Sequence, residues 1–266
     1  MMRSMFAAVS GLRIHQMRMD VIADNIANVN TTGFKRARMT FQDIFYQTLR
    51  GGSAPADPRG GTNPHQIGLG AGVASIDVIQ TQGAAGATGN PTDLMIQGDG
   101  FFVLTDGENS FYTRAGNFAF DANGNLVVPG SGLFLVGADG SSPISVPTEA
   151  SSFSIDTFGN VSFIDPNGLN QAGTIGLVKF ANPGGLKKVG ENLYVMDPNA
   201  HDGEPEIGNP GADGRGTLIA SALEMSNVEL AQEFSEMIIT QRGFQANARV
   251  ITTSDEMLQE LANLKR

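Results

Sequence analysis

Both ends of this chain repeat every seven residues, and no other feature restricts its fold as much. Near the N-terminus Met5, Leu12, Met19 and Ile26 share one heptad position, and Ala8, His15, Ile22 and Val29 share the position three residues on. Such spacing, kept over about four heptads, is what a helix needs to lie along another helix. Ser4 reads as the N-cap, and Gly33 as the stop after Asn30-Thr31-Thr32. The predicted helix covers roughly residues 4–30, about 40 Å at the usual rise.

The C-terminal segment follows the same rule. Ser226-Asn227-Val228-Glu229 reads as a capping box, with Ser accepting from a backbone N–H and Glu reaching back. Leu230, Met237, Phe244, Ile251 and Leu258 then recur every seven residues, and Phe234, Ala248 and Leu261 widen the stripe. No proline interrupts the run to Lys265, Gly243 is its one weak helix former, and Lys265 and Arg266 suit a helix C-terminus. The predicted helix is about 38 residues, near 57 Å. Periodicity alone fits ordinary amphipathic helices on a globular core equally well. Two features favour helices that pair with each other: both lie at chain ends, and their stripes carry His15, Met19 and Gln241. That seam is softer than a Leu/Ile zipper. With each buried Leu or Phe contributing roughly 1.5–3 kcal/mol, an isolated pair is marginal and a packed array of pairs is not.

Between Val73 and Met196 the pattern changes to short apolar stretches separated by turn dipeptides. Asp106-Gly107, Asn123-Gly124, Asp139-Gly140 and Asn167-Gly168 are hairpin signals. Phe101–Leu104, Leu126–Val128, Leu133–Val136 and Ile175–Val178 read as strands. Phe118-x-x-Asp121-x-x-Gly124-Asn125-Leu126 returns as Phe153-x-x-Asp156-x-x-Gly159-Asn160-Val161, through either duplication or convergence on similar turn chemistry. Gly51–Pro64 and Asp197–Gly216, rich in Gly and Pro, read as linkers. The expected fold is α+β: terminal helices packed as a coiled coil, with an inserted all-β domain. Its expected division is a helical domain (1–35 and 217–266), connectors (36–72 and 197–216) and a β-rich outer domain (73–196).

Composition narrows the function classes. Of 266 residues 34 are Gly and 12 Pro, which suits many tight turns and short strands. Charged residues are 17%, so the surface is polar mainly through uncharged groups and is easier to bury against a neighbour. The net charge of −10 weighs against nucleic-acid partners and against anionic membranes. With no Cys, disulfides and thiol chemistry are excluded. No apolar run suits a signal peptide or a membrane span.

The sequence nominates no catalytic, metal or cofactor site. His15, His65 and His201 are far apart and show no metal-ligand spacing, and His15 reads as a packing residue of the helical seam. No Gly-x-Ser-x-Gly elbow occurs. The Asp121 and Asp165 stretches resemble the start of calcium loops, but Gly132 and Gly176 stand where a bidentate Glu is required. Gly68–Gly72 and Gly98–Gly100 lack the strand-before, helix-after setting of a phosphate loop.

Residues 20–35, Asp-Val-Ile-Ala-Asp-Asn-Ile-Ala-Asn-Val-Asn-Thr-Thr-Gly-Phe-Lys, resemble the signature of the flagellar rod and hook family. Asn25, Ile26, Ala27, Asn28, Thr32, Gly33, Phe34 and Lys35 match it, and Asp24 replaces the usual first Asn. Gln97-Gly-Asp-Gly-Phe-Phe, Tyr112-Thr-Arg-Ala-Gly-Asn-Phe, Gly190-Glu-Asn-Leu-Tyr, Glu224-Met-Ser-Asn-Val and Gln241-Arg-Gly-Phe-Gln-Ala-Asn look like further landmarks, so the resemblance spans the chain. It implies a non-enzymatic subunit of the bacterial flagellar axis, outside the cytoplasm and exported unfolded by the flagellar type III apparatus without a cleavable signal. The implied partners are copies of itself, adjacent rod, hook or hook-junction proteins, and the export apparatus. The implied assembly residues are Met5, Leu12, Met19, Ile22, Ile26, Leu230, Phe234, Met237, Phe244, Ile251 and Leu258. Phe41-Gln-Asp-Ile-Phe45 is similar to the family's short export motif, although both rings could simply pack in the folded chain. The length leaves no room for the extra domain of long hooks. The two chain ends look closer to short hooks than to distal rods, so a short hook is the expectation and a distal rod the alternative. The rivals from other classes are a secreted β-rich enzyme or binding module, and a coiled-coil adaptor.

Overall fold

The computed structural model describes residues 2–55, 60–150, 152–166, 168–203 and 205–264; Asn167 of one expected turn and the terminal Lys265 and Arg266 lie outside them. The chain forms two compact units, one built from Met1–Ala27, Ala37–Val78 and Glu229–Arg266, the other from Asn28–Arg36 and Ile79–Val228.

The helical unit consists of α1 (Met2–Ala27), four strands and α2 (Leu230–Leu264). Strands β1 (Ala37–Asp43) and β4 (Ala71–Val78) pair antiparallel, as do β2 (Tyr46–Arg50) and β3 (His65–Gly68). The stretch 36–72, expected as a connector, therefore carries three strands and the start of a fourth. Within the Gly/Pro-rich loop, Ser53 and Thr62 exchange both backbone hydrogen bonds at 3.0 Å. Both helix starts differ from the expected caps. α1 is already helical at Met2, so Ser4 lies inside it. α2 begins at Leu230, because the Ser226 hydroxyl accepts from Val228 N–H and the Asn227 amide bonds elsewhere, which keeps the capping-box residues out of the helix.

The β-rich unit begins with β5 (Ala85–Ala87), β6 (Leu94–Gln97), β7 (Phe101–Thr105), β8 (Ser110–Thr113), β9 (Ala119–Phe120), β10 (Leu126–Val127) and β11 (Phe134–Leu135). It continues through β12 (Ser152–Ile155), β13 (Asn160–Asp165), β14 (Gly168–Thr174), β15 (Leu177–Val178), β16 (Lys187–Gly190) and β17 (Leu193–Val195). β18 (Ile207–Gly208), β19 (Thr217–Ala220) and β20 (Ala222–Glu224) complete it. The main sheet runs β16-β17-β8-β7-β11-β10-β9, with β15 bridging β7 and β18. Smaller sheets are β12-β13-β14, β6-β19 and β5-β20.

Strand β7 shows why the unit is stable. Successive side chains of a strand point to opposite faces. Phe102 and Leu104 enter one apolar cluster with Leu94, Phe118, Leu126 and Leu177, while Phe101 and Val103 enter a second with Tyr112, Phe180 and Tyr194. A strand covered on both sides has no polar positions, which is the origin of the unbroken Phe-Phe-Val-Leu run.

The repeated nine-residue motif forms one hairpin twice. Phe120 pairs with Leu126, and Ile155 with Val161, in the same register. Gly124 N–H donates to Asp121 O at 2.8 Å, and Gly159 N–H to Asp156 O at 2.9 Å. Gly124 and Gly159 have φ of 80° and 78°, the left-handed region that favours glycine. In each, the Asp carboxylate accepts from the next backbone N–H, at 2.7 Å for Ala122 and 2.6 Å for Thr157.

Candidate functional site

The signature residues divide between the units: Asn25, Ile26 and Ala27 end α1, and Asn28 to Lys35 open the β-rich unit. The helix was expected to run to about residue 30 but stops at Ala27. Thr31 N–H donates to Asn28 O at 3.1 Å and the Thr31 hydroxyl to Asn28 Oδ1 at 3.0 Å, a local turn that competes with helix. Gly33 follows with φ of 70°. A Cβ there would lie 2.6 Å from Ala115 N, so the backbone at Gly33 can approach β8's exit only because no side chain intervenes.

The five stretches that resemble family landmarks within the β-rich unit converge on one buried cluster. Lys35 Nζ lies 2.6 Å from Glu224 Oε1 and donates to Thr81 O at 2.7 Å. Glu224 also accepts from Gly83 N–H at 2.9 Å, its backbone oxygen accepts from Gly33 N–H at 2.7 Å, and Arg114 Nη1 lies 3.6 Å from its second oxygen. Arg114 donates to Gly98 O at 2.9 Å and stacks over Phe101, 5.1 Å from the ring centre. Asn192 donates to Thr32 O at 3.0 Å, and Lys188, over the Phe34 ring at 4.5 Å, donates to Lys35 O at 3.1 Å.

The Lys35 and Glu224 side chains are fully buried, and Arg114 is 4% exposed. Burial pulls the Lys35 ammonium below the usual lysine range, with Glu224 opposing and Arg114 reinforcing the change. Burial also lowers Arg114, and it raises the Tyr194 phenol to about 12. Buried charges persist where partners and hydrogen bonds replace water. This cluster is a junction tying the opening of the unit to its last strand, and its chemistry is that of a strut. Lys35 was visible in the sequence as a signature residue. The parts played by Arg114 and Glu224 were not, since 189 positions separate Lys35 from Glu224.

In the helical unit, α1 and α2 pack antiparallel. Gly11 faces Asn247, His15 faces Gly243, Arg18 meets Glu236 at 3.3 Å, and Asn25 Nδ2 donates to Glu233 Oε2 at 3.2 Å. The buried α1 residues are Ala8, Gly11, Ile14, Ile22 and Asn25; those of α2 are Glu233, Thr240 and Ser254. The seam is thus largely small and polar. Thr240 and Ser254 enter it because their hydroxyls donate to the carbonyls of Glu236 and Val250, each at 2.7 Å, in their own helix. Asn25 is held from both sides, donating to Ala37 O at 2.8 Å and accepting from Ala37 N–H at 2.9 Å.

The apolar heptad residues flank this seam. Ile22 is buried, Met5, Leu12, Met19, Ile26, Met237, Ile251 and Leu258 are half-buried, and Leu230, Phe234 and Phe244 are exposed. His15 does take a packing position, edge-on to Phe41 with ring centres 5.8 Å apart, and burial lowers its pKa. Phe41 lies in β1 and is 38% exposed, while Phe45, in the loop after it, is 80% exposed. Among the described residues no three His, Asp or Glu side chains are placed to hold a metal ion, and no helix is long and apolar enough to cross a membrane.

The fold and junction define an α+β protein whose terminal helices pack together and whose all-β domain is inserted between them in the chain. Residues 5–35 match the family model described as flagella basal body rod protein, 95–163 the flagellar hook protein FlgE/F/G D1 domain, and 219–264 the flagellar basal body rod FlgEFG protein C-terminal. The chain is 50% identical to the flagellar basal-body rod protein FlgG of Bacillus subtilis (strain 168), over the whole of both chains. It is 31% identical to the flagellar hook protein FlgE of Borreliella burgdorferi over an alignment of 441 positions that covers both chains. Against the hook protein FlgE of Treponema pallidum identity is 55%, over 52% of this chain and 30% of that one. The chain belongs to the flagellar rod and hook protein family.

Proposed function

We propose that this chain is a rod subunit of the flagellar basal body, placed in the distal rod, and that it polymerises through its terminal helices. The observation that carries the reading is end-to-end similarity at 50% identity to a rod protein, without any large insertion. The hook relatives are much longer: one needs 441 aligned positions against 266 residues here, and 30% of the other accounts for everything it shares. The short-hook expectation, drawn from the two chain ends, therefore yields to the rod alternative. Leu230, Phe234 and Phe244 lie exposed beside a polar intramolecular seam and supply apolar surface for neighbouring copies. The role is structural, with no reaction assigned, and the partners are other copies and the adjoining axial proteins. Delivery is through the flagellar export apparatus, with Phe41 and Phe45 as its recognition motif; Phe45, mostly exposed, is little used in packing.

The test is immunogold labelling of isolated hook–basal bodies carrying a tagged copy of this chain. Label on the straight rod is expected, and label confined to the curved hook overturns the reading. Phe244→Asp and Ile251→Asp should each prevent incorporation while the β-rich unit stays folded by near-ultraviolet circular dichroism. Normal incorporation of both would remove the helices' proposed role.

A further inference from the structure

Beyond the end of α1, the chain crosses between its two units at three places: Arg36–Ala37, Val78–Ile79 and Val228–Glu229. On the β-rich side one side chain gathers all three. Asn227 Oδ1 accepts from Arg36 N–H at 2.8 Å. Asn227 Nδ2 donates to Ile79 O at 2.8 Å and lies 3.2 and 2.9 Å from the Thr81 backbone and hydroxyl oxygens. Ile79 N–H donates to Arg36 O at 2.9 Å, closing the ring of contacts, and Val228 is the next residue in the chain. Only an uncharged amide offers an acceptor and two donors on one short side chain. Aspartate would keep the acceptor and turn its second oxygen towards two carbonyl-type acceptors.

We propose that Asn227 is a positioning residue, a clamp that holds the three crossing segments together so that they resist opening under load. The load-bearing part of this inference rests on the rod-subunit reading; the clamp itself rests on the hydrogen bonds alone. Asn227, which lies inside the predicted Ser226–Glu229 capping box, plays no part in capping: α2 begins three residues later and the Asn227 amide bonds to residues 36, 79 and 81.

The test is hydrogen exchange on the purified full-length chain with Asn227→Ala and Asn227→Asp. In both variants the Ile79 amide should exchange at least about tenfold faster, the scale of losing one or two net hydrogen bonds. The Arg36 amide should accelerate strongly in Asn227→Ala and less in Asn227→Asp, which keeps its acceptor. Amides of Phe102 and Leu104 should keep their wild-type rates. Unchanged exchange at Ile79, or equal acceleration at Phe102 and Leu104, overturns the clamp. A second arm compares swimming in media of rising viscosity, with Asn227→Ala expected to stall at lower viscosity than wild type. Stalling at the wild-type viscosity despite loosened Arg36 and Ile79 amides overturns the load-bearing role. Failure of the wild-type chain to enter the rod counts against the rod reading and leaves the exchange result standing.

Discussion

Lys35 and Glu224, 189 positions apart in the chain, meet at 2.6 Å with both side chains closed off from solvent. The pair joins the segment that opens the β-rich unit to the strand that completes it. Arg114 on the far side of Glu224 makes the group a triad with one more positive than negative charge.

Lys35→Met should therefore be costly, because it leaves the Glu224 charge with Gly83 N–H and the more distant Arg114 as the one remaining cation. A loss of about 3–5 kcal/mol is expected, as for a broken buried ion pair. Glu224→Gln should cost at least as much, since it leaves two buried cations facing each other. Urea unfolding of the full chain, followed by near-ultraviolet circular dichroism, measures both; a shift equivalent to less than about 1 kcal/mol would refute the estimate.

Tyr194 gives the alkaline limb of stability a definite sign. Its phenol titrates at about 12 in the folded chain against an ordinary value of 10. Above pH 10 the unfolded chain loses this proton first, so the folded state binds more protons and stability falls with rising pH. The contribution is complete below pH 10 and is largely lost by about pH 12, on the order of 3 kcal/mol. Lys35 acts in the opposite sense: its lowered pKa makes stability rise as pH climbs from its folded value towards 10.5. Tyr194→Phe should flatten the alkaline decline, measured as thermal midpoint against pH.

The helix seam should couple His15 to Gly243. A Cβ on Gly243 would stand 2.6 Å from the His15 ring, so Gly243→Ala forces the ring aside. In His15→Ala the same substitution should be nearly harmless. A double-mutant cycle by thermal melting at 222 nm should give a coupling of about 1–3 kcal/mol; strict additivity would show that the two do not interlock.

The duplicated hairpins should differ in tolerance. Gly124→Ala and Gly159→Ala both place a side chain at positive φ, costing about 1 kcal/mol. At Gly124 the new methyl also collides with the Val146 carbonyl, a rigid backbone group, whereas at Gly159 the nearest atom is Pro210 Cγ at 2.9 Å. Gly124→Ala should therefore be the more destabilising by chemical denaturation, and the reverse order would contradict the backbone geometry.

The sequence by itself determined what local physics can determine. Heptads at both ends specify two long helices, Asp106-Gly107 and Asn123-Gly124 specify hairpins, and the nine-residue repeat specifies one turn used twice. Even the region of the signature's turn was legible, because Asn, Thr and Gly satisfy and redirect a backbone within a few residues. What the tertiary structure decided was which partner each side chain meets. The apolar heptads suggested an apolar seam, yet the seam of the single chain is lined largely by Gly11, Asn25, Glu233, Gly243 and Asn247, and of the predicted apolar assembly residues only Ile22 is buried. Nothing in the periodicity separates those two arrangements, since they differ by a small rotation of each helix about its axis. Asn227 likewise read as part of a helix cap and is instead bonded to residues 36, 79 and 81. Hydrogen bonds between groups so distant in sequence leave no spacing to read, and only the folded chain brings their donors and acceptors together.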